Sequence, residues 1–302
     1  GLPAHLTHVQ FHSYGKEGPH KFSSAAVELA EAVNRHANIS VDVGQVMFGQ
    51  TVTISGDTMR QWANAPAGSP RKFGGADIEC DAGCGVVPFQ YREKSYVNAL
   101  QWSIGLELFL LIDDPWRVVL TTDHPNGGPF GSYPHLIRLL MDKAFRDEQL
   151  ARLHPDVAAH APLREIRREL TLYEIAILTR AGPARLLGLS DKGHLGAGAA
   201  ADVAVYRVQD DIEAMFTTPA YVFKDGLLVA QAGEIVATPT GGVHFAEPDF
   251  DPSIGKTLQS YARRHLTVNP AHAVIGHDEL CSCGRGGRLL PTACFPTSPL
   301  AA

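Results

Sequence analysis

The spacing of apolar and polar positions changes along the chain, and each change marks an element. Leu6–Phe11 (LTHVQF) is a short β-prone run. Ser23–Arg35 (SSAAVELAEAVNR) has helical spacing, with Ser23 or Ser24 available as N-cap. Ile39–Phe48 (ISVDVGQVMF) returns to a strand pattern. Thr51–Gly75, with PAGSP in its middle, reads as a long loop. Ser95–Leu111 reads as a helix and as buried. Trp116–Thr121 (WRVVLT) is a third strand and runs straight into TTDHPNGGPF. Tyr133–Leu150 follows as a helix, and Leu163–Leu187 is helical up to a Gly182-Pro183 break and again to its end.

Strands alternating with helices predict a parallel α/β arrangement. After Gly188 the period shortens. Asp202–Tyr206, Ala220–Lys224 and Leu227–Ala230 are short strand-like runs separated by Gly-containing turns, including Asp225-Gly226. The chain therefore divides into residues 1–187, an α/β region; residues 188–245, a small β region; and residues 246–302, an extension. In that extension GRGGRLLPTACFPTSPLAA has no period and is expected to be disordered or loosely docked. A complete (β/α)8 barrel takes about 250 residues. Here about 185 precede the β region and show about three strands, so a barrel of this kind would be less than half present.

Composition narrows the picture further. Of 302 residues, 45% are hydrophobic and 19% charged, enough to bury a core and against general disorder. A net charge of −6 disfavours a general nucleic-acid binder. The longest apolar stretch, Ala99–Ile112, is interrupted by Gln101, Ser103 and Glu107 and is too short for a membrane span. The five cysteines are an odd number in a long chain, which points to a reducing, cytoplasmic setting rather than a disulfide scaffold. The opening GLPAHLTHVQFH has no start methionine and reads as the inside of a strand, so the chain is expected to be a piece of a longer polypeptide. Fourteen histidines make a metal site worth seeking.

The strongest local signal is LTTDHPNGGPF, Leu120–Phe130. An apolar strand ends in an acid, followed by His, Pro, Asn and a Gly-Gly turn. At the C-terminal end of a barrel strand, Asp123 could bind a metal or accept a proton. It could equally cap the following turn. A second signal is HLTHVQFH, His5–His12. Strand alternation would put His8 and His12 on one face and His5 on the other, and two imidazoles on one face suit zinc. Core and loop histidines are the plainer reading. Cys80 and Cys84 (ECDAGCG) lack a matching pair nearby and read as structural thiols.

Three segments together resemble the amidohydrolase superfamily. LTHVQFHSYG is similar to its sixth-strand motif and LTTDHPNGGPF to its eighth. KGHLGAGAAADVAVY with AYVFKDGLLVAQAGEIV is similar to the small β-sandwich of dihydroorotase-like and dihydropyrimidinase-like members. More narrowly, SVDVGQVMFGQTVTISGD, DIECDAGCGVVPFQYREKSYVNALQWSIGLELFLL and DDPWRVVLTTDHPNGGPFGSYPHLI resemble the A subunits of formylmethanofuran dehydrogenases and of bacterial formyltransferase/hydrolase complexes. The resemblance runs from about Pro3 to about Phe245.

The resemblance implies the C-terminal part of a (β/α)8 barrel, strands six to eight, followed by a small β-sandwich. It implies hydrolysis of formylmethanofuran, or of a methanofuran analogue, to formate and the free amine at a two-zinc centre. By motif position His8 matches a metal ligand, and Asp123 matches the carboxylate that binds metal and carries the proton to the leaving amine. His12, His124 and Asn126 would line the substrate site. The first-strand His-x-His pair, a carboxylated lysine and the fifth-strand histidine of the family are expected upstream of Gly1, so the zinc site would need them to be supplied. Partners would be the other subunits of such a complex, with no nucleic acid and no membrane. Two other readings compete: a catalytically silent scaffold subunit, and a cyclic-amide hydrolase of the dihydropyrimidinase or dihydroorotase type.

Overall fold

The computed structural model describes residues 2–18, 20–67, 79–81, 84–246, 250–270, 276, 279 and 288–292. The chain forms two compact units: residues 1–52 with 88–237, and residues 53–87 with 238–302.

At the centre of the first unit is a three-stranded sheet made of β1 (Ala4–Leu6), β2 (Ile39–Gly44) and β3 (Val118–Thr121), in that order. Both pairings are parallel, with Leu6 opposite Val41, and Val41 in turn opposite Val118. Parallel neighbours need crossovers. Here α1 (Ala26–Arg35) joins β1 to β2, and α2 (Tyr96–Leu111) lies on the path from β2 to β3. The expected mixed α/β fold with a parallel sheet is what the chain adopts.

As its composition requires, α2 is buried from Asn98 to Leu110 on every face. Gly105 sets its distance from the sheet: a Cβ there would run into Gln45 Oε1 and lie 3.3 Å from Val43 Cγ1. The buried carboxylate of this helix is matched by donors. Glu107, fully buried, accepts from the hydroxyls of Ser24 and Ser103 and from the backbone N–H of Leu163. Burial raises its pKa against the opposing pull of those donors. Two arginines close helix ends, where carbonyls lack intrahelical partners. Buried Arg146 donates to Leu139 O and Arg168 O, and Arg168 donates to Leu110 O and Ile112 O.

Several expected elements differ, each for a local reason. The strand expected over Leu6–Phe11 ends at Leu6, and Val9–His12 is a 3-10 turn. The helix expected over Tyr133–Leu150 is two, α3 (Tyr133–Met141) and α4 (Lys143–Ala151). Asp142 divides them because its side chain caps α4 by accepting from Phe145 N at 2.8 Å. The Gly182-Pro183 pair does not break the chain's winding. Leu172–Ala176 passes through a π turn, Ile177–Ala181, into Gly182–Leu186, and the wider turn leaves Pro183 among the first residues of the new helix. The helix expected from Leu163 starts only at Leu172, and Pro162–Glu165 is a 3-10 turn. The short helix α5 (Pro155–His160) follows α4.

The β region after Gly188 is a four-stranded antiparallel sheet. Its strands are β4 (Val203–Val205), β5 (Tyr221–Lys224), β6 (Leu227–Gln231) and β7 (Glu234–Ile235), in the order β7-β6-β5-β4.

The second unit departs further from the expected loop and tail. Strand Gly49–Ser55 crosses into it and is followed by a helix, Thr58–Asn64. Asp57 caps that helix by accepting from Arg60 N and also accepts from Thr267 N at 2.7 Å. The expected extension contains a 12-residue helix, Ile254–His265, and Arg288–Thr292 pairs in parallel with Gly242–Ala246. Cys80 and Cys84 fall in an antiparallel pair, with Cys80 opposite Gly85. Residues 280–287 and 293–302 of that extension, Cys281 and Cys283 among them, lie outside the described residues.

Candidate metal and proton-transfer site at the strand ends

Because β1, β2 and β3 are parallel, their C-terminal ends open at one edge of the sheet. His8 follows β1, Asp42 lies near the end of β2, and Asp123 follows β3. His8 and Asp123 both have left-handed backbone, with φ of 50° and 47°. For L residues that conformation is uncommon and needs support from its surroundings.

The support is visible around both. Gln10, completely buried, donates to Gly44 O and accepts from Gly44 N at 3.0 Å. Its amide makes the two bonds a neighbouring strand would make, where β1 has already ended. The His8 ring lies over Gly44, where a Cβ would be 3.0 Å from it. After β3, Thr122 accepts from Gly127 N and Gly128 N on its backbone oxygen, and its hydroxyl donates to Gly128 O. Gly127 is required there, since a Cβ would lie 2.5 Å from Thr122 O. Asp123 N donates to Thr121 Oγ1 at 3.0 Å, and Asn126 donates from its side chain to Asp123 Oδ2.

Three charged or chargeable side chains meet in this frame. His8 Nδ1 is 2.6 Å from Asp42 Oδ1, and His8 Nε2 is 3.2 Å from Asp123 Oδ1. Asp42 also accepts from the backbone N–H of His8 at 2.8 Å, and its other oxygen is 3.0 Å from His5 Nε2. Hydrogen bonds to Asp123 and then Asp42 raise His8 to about 9, against the opposing effect of burial. Burial pushes the Asp42 carboxyl up, but the bonds from His5 and His8 outweigh it and hold Asp42 well below the usual carboxylate range. A buried acid with two imidazoles orients the ring it touches.

The donor set fits a borderline divalent metal. Two ligands about 2.0–2.1 Å from one tetrahedral ion stand about 3.3 Å apart. The 3.2 Å between His8 Nε2 and Asp123 Oδ1 matches that edge. His8 and Asp123 would be two of its ligands, and Asp42 would hold the His8 ring through its other nitrogen.

Of the residues expected at the site, the fold brings together His8, Asp123 and Asn126. His124 follows Asp123 but stacks on Phe130, with ring centroids 3.9 Å apart. His12 is exposed at the end of the 3-10 turn. The strand alternation that paired His12 with His8 does not apply, because the strand stops at Leu6. His5 and Asp42 were not expected at the site. An acid inside the apolar run ISVDVG was the signal for Asp42, since an unpaired buried charge is costly. For His5, alternation pointed away from the site.

The amidohydrolase family model matches residues 1–237, and the chain belongs to that family. It is 46% identical over 266 residues to the A component of the formyltransferase/hydrolase complex Fhc of Methylorubrum extorquens, covering 86% of this chain and 48% of that protein. It is 40% identical over 275 residues to FwdA of Methanocaldococcus jannaschii, covering 87% of this chain and 48% of that one. A crystal structure of the Methylorubrum extorquens complex FhcABCD with methylofuran contains a chain similar at 41% identity with a TM-score of 0.79. That match covers 97% of this chain and 54% of the other. The chain thus spans about half the length of the curated relatives it matches. Among the described residues, no helix is long and apolar enough to cross a membrane.

Proposed function

We propose that this chain forms the C-terminal part of a metal-dependent amidohydrolase subunit in a cytoplasmic formyltransferase/hydrolase complex. Its reaction is hydrolysis of a formamide, formylmethanofuran or an analogue, to formate and the free amine. The observation that carries this reading is the His8–Asp123 pair, which meets across the C-terminal end of β2 from the two strands that flank it, in a chain of this family and with these relatives. On this reading β1, β2 and β3 are the sixth to eighth strands of a barrel covering residues 1–187. Residues 188–245 are then the small β-sandwich and residues 246–302 an extension.

His8 and Asp123 would be zinc ligands, with the other ligands of a two-zinc site supplied from outside this chain. Zinc, when bound, supplies Lewis acidity and lowers the pKa of water. Asp123 would take the proton of the attacking water and deliver it to the leaving amine. Asn126 would hold Asp123 by its hydrogen bond, and His124 and His12 would face the carrier.

The test is Asp123→Asn in the assembled complex, with formate release followed from the formyl carrier. Loss of the base predicts a fall of about 10²–10⁴-fold with the complex intact. Near-wild-type turnover would remove Asp123 from the chemistry, and turnover of a hydantoin instead would favour the cyclic-amide reading.

A further inference from the structure

We propose that His20, His154 and Asp156 form a second site for a divalent cation of the zinc class, away from the strand ends. One donor atom of each lies within 4.8 Å of the other two. His20 Nε2 is 2.8 Å from Asp156 Oδ2, and His154 Nδ1 is 3.9 Å from the same oxygen. These bracket the separation of about 3.3 Å expected for ligands sharing a tetrahedral ion. Two imidazoles and a carboxylate are a zinc donor set that leaves a position open.

His154 Nδ1 faces the cluster and accepts from Asp156 N at 3.3 Å. At that length the bond is weak and can yield to an ion. The positive end of α5 opposes a cation, but α5 has only six residues and Asp156 sits in its first turn.

The ligands are held in place by one stretch, residues 93–96. Tyr96 donates its hydroxyl to Phe22 O and places its ring 3.9 Å from His20 and 5.5 Å from His154. His154 N donates to Glu93 O at 3.0 Å, and Lys94 donates to Arg152 O. An ion there would clip a loop to a helix 136 positions further along the chain. The proposal does not depend on the activity assigned to the strand-end site.

The experiment uses the full chain, stripped of metal by chelation and equilibrated with zinc chloride. Zinc per chain is measured in solution, and crystals are examined by anomalous diffraction at the zinc edge. A peak among the three side chains is expected. His20→Ala/His154→Ala should bind one zinc fewer per chain than wild type, while His8→Ala keeps this zinc. No peak at saturating zinc overturns the proposal, as does a peak without a stoichiometric difference in solution. Asp156→Asn is the second variant, and the wild-type peak needs no variant to fold.

Discussion

The clusters His8–Asp42–Asp123 and His20–Asp156–His154 draw on the same two residue types within one unit of the fold. In the first, Asp42 has a side chain only 12% exposed and accepts from His8 twice and from His5. In the second, His20, Asp156 and His154 are 44%, 38% and 25% exposed, and no acid in it is as buried as Asp42. The first stands on strands whose register is fixed by a buried sheet, and the second joins a loop to a short helix. The lesson is that residue type proposes a site, while burial and orienting hydrogen bonds decide how strongly charge is held there.

The largest contrast is expected for zinc affinity at the strand ends. His8→Ala removes a ligand outright. It should cost the complex more than the roughly 10–100-fold in zinc affinity that follows loss of an orienting partner. Asp42→Ala should fall within that range, because His8 then keeps neither its tautomer nor its ring orientation. Asp42→Asn should cost less, since its carbonyl can still accept from both donors of His8. Competition with a chromophoric chelator measures all three, and equal affinities for wild type and Asp42→Ala would break the orienting role.

The effect of pH on the metal-free chain is next in size. Folding raises His8 from its ordinary 6.5 to about 9. The native state therefore holds the proton more tightly than the unfolded state. The contribution is complete below about pH 6.5 and is lost as pH rises through 9. Urea midpoints in chelator should fall across that window, and His8→Gln should remove that part of the slope. An unchanged midpoint in wild type would show that the two carboxylates do not hold the imidazolium.

The smallest effect belongs to the exposed cluster without metal. His20→Ala deletes one solvent-exposed pair and should cost less than about 1 kcal/mol by denaturation in chelator. A larger loss would mean that the two clusters are more alike than their exposure indicates.

How far the chain could be read in advance follows from the same contrast. The helix α2 was legible because a mostly apolar run, broken only by Gln101, Ser103 and Glu107, favours a buried helix. Asp123 was legible because its strand and turn lie consecutively in sequence. The meeting of His5 with Asp42 was not, because it depends on where β1 stops. That point is set by Gln10 reaching across to Gly44, a long-range bond with no local signal. The division at Asp142 was hidden because an acid there suits a helix surface as well as a cap. The winding through Gly182-Pro183 depends on a π turn, which spacing arguments built on 3.6 residues do not contain.

Gln10 also bears on which insertions the molecule could tolerate. With its amide completing the ladder at Gly44, the chain beyond it carries no duty in the parallel sheet. Residues 14–15 pair with 23–24 as a small hairpin closed on itself, and Ala25 N returns to Ser13 O at 2.9 Å. The tip between Gly15 and Ser23 can therefore change in length without shifting strand register. Descendants of this sequence would be free to diversify around His20 while leaving the strand ends as they are.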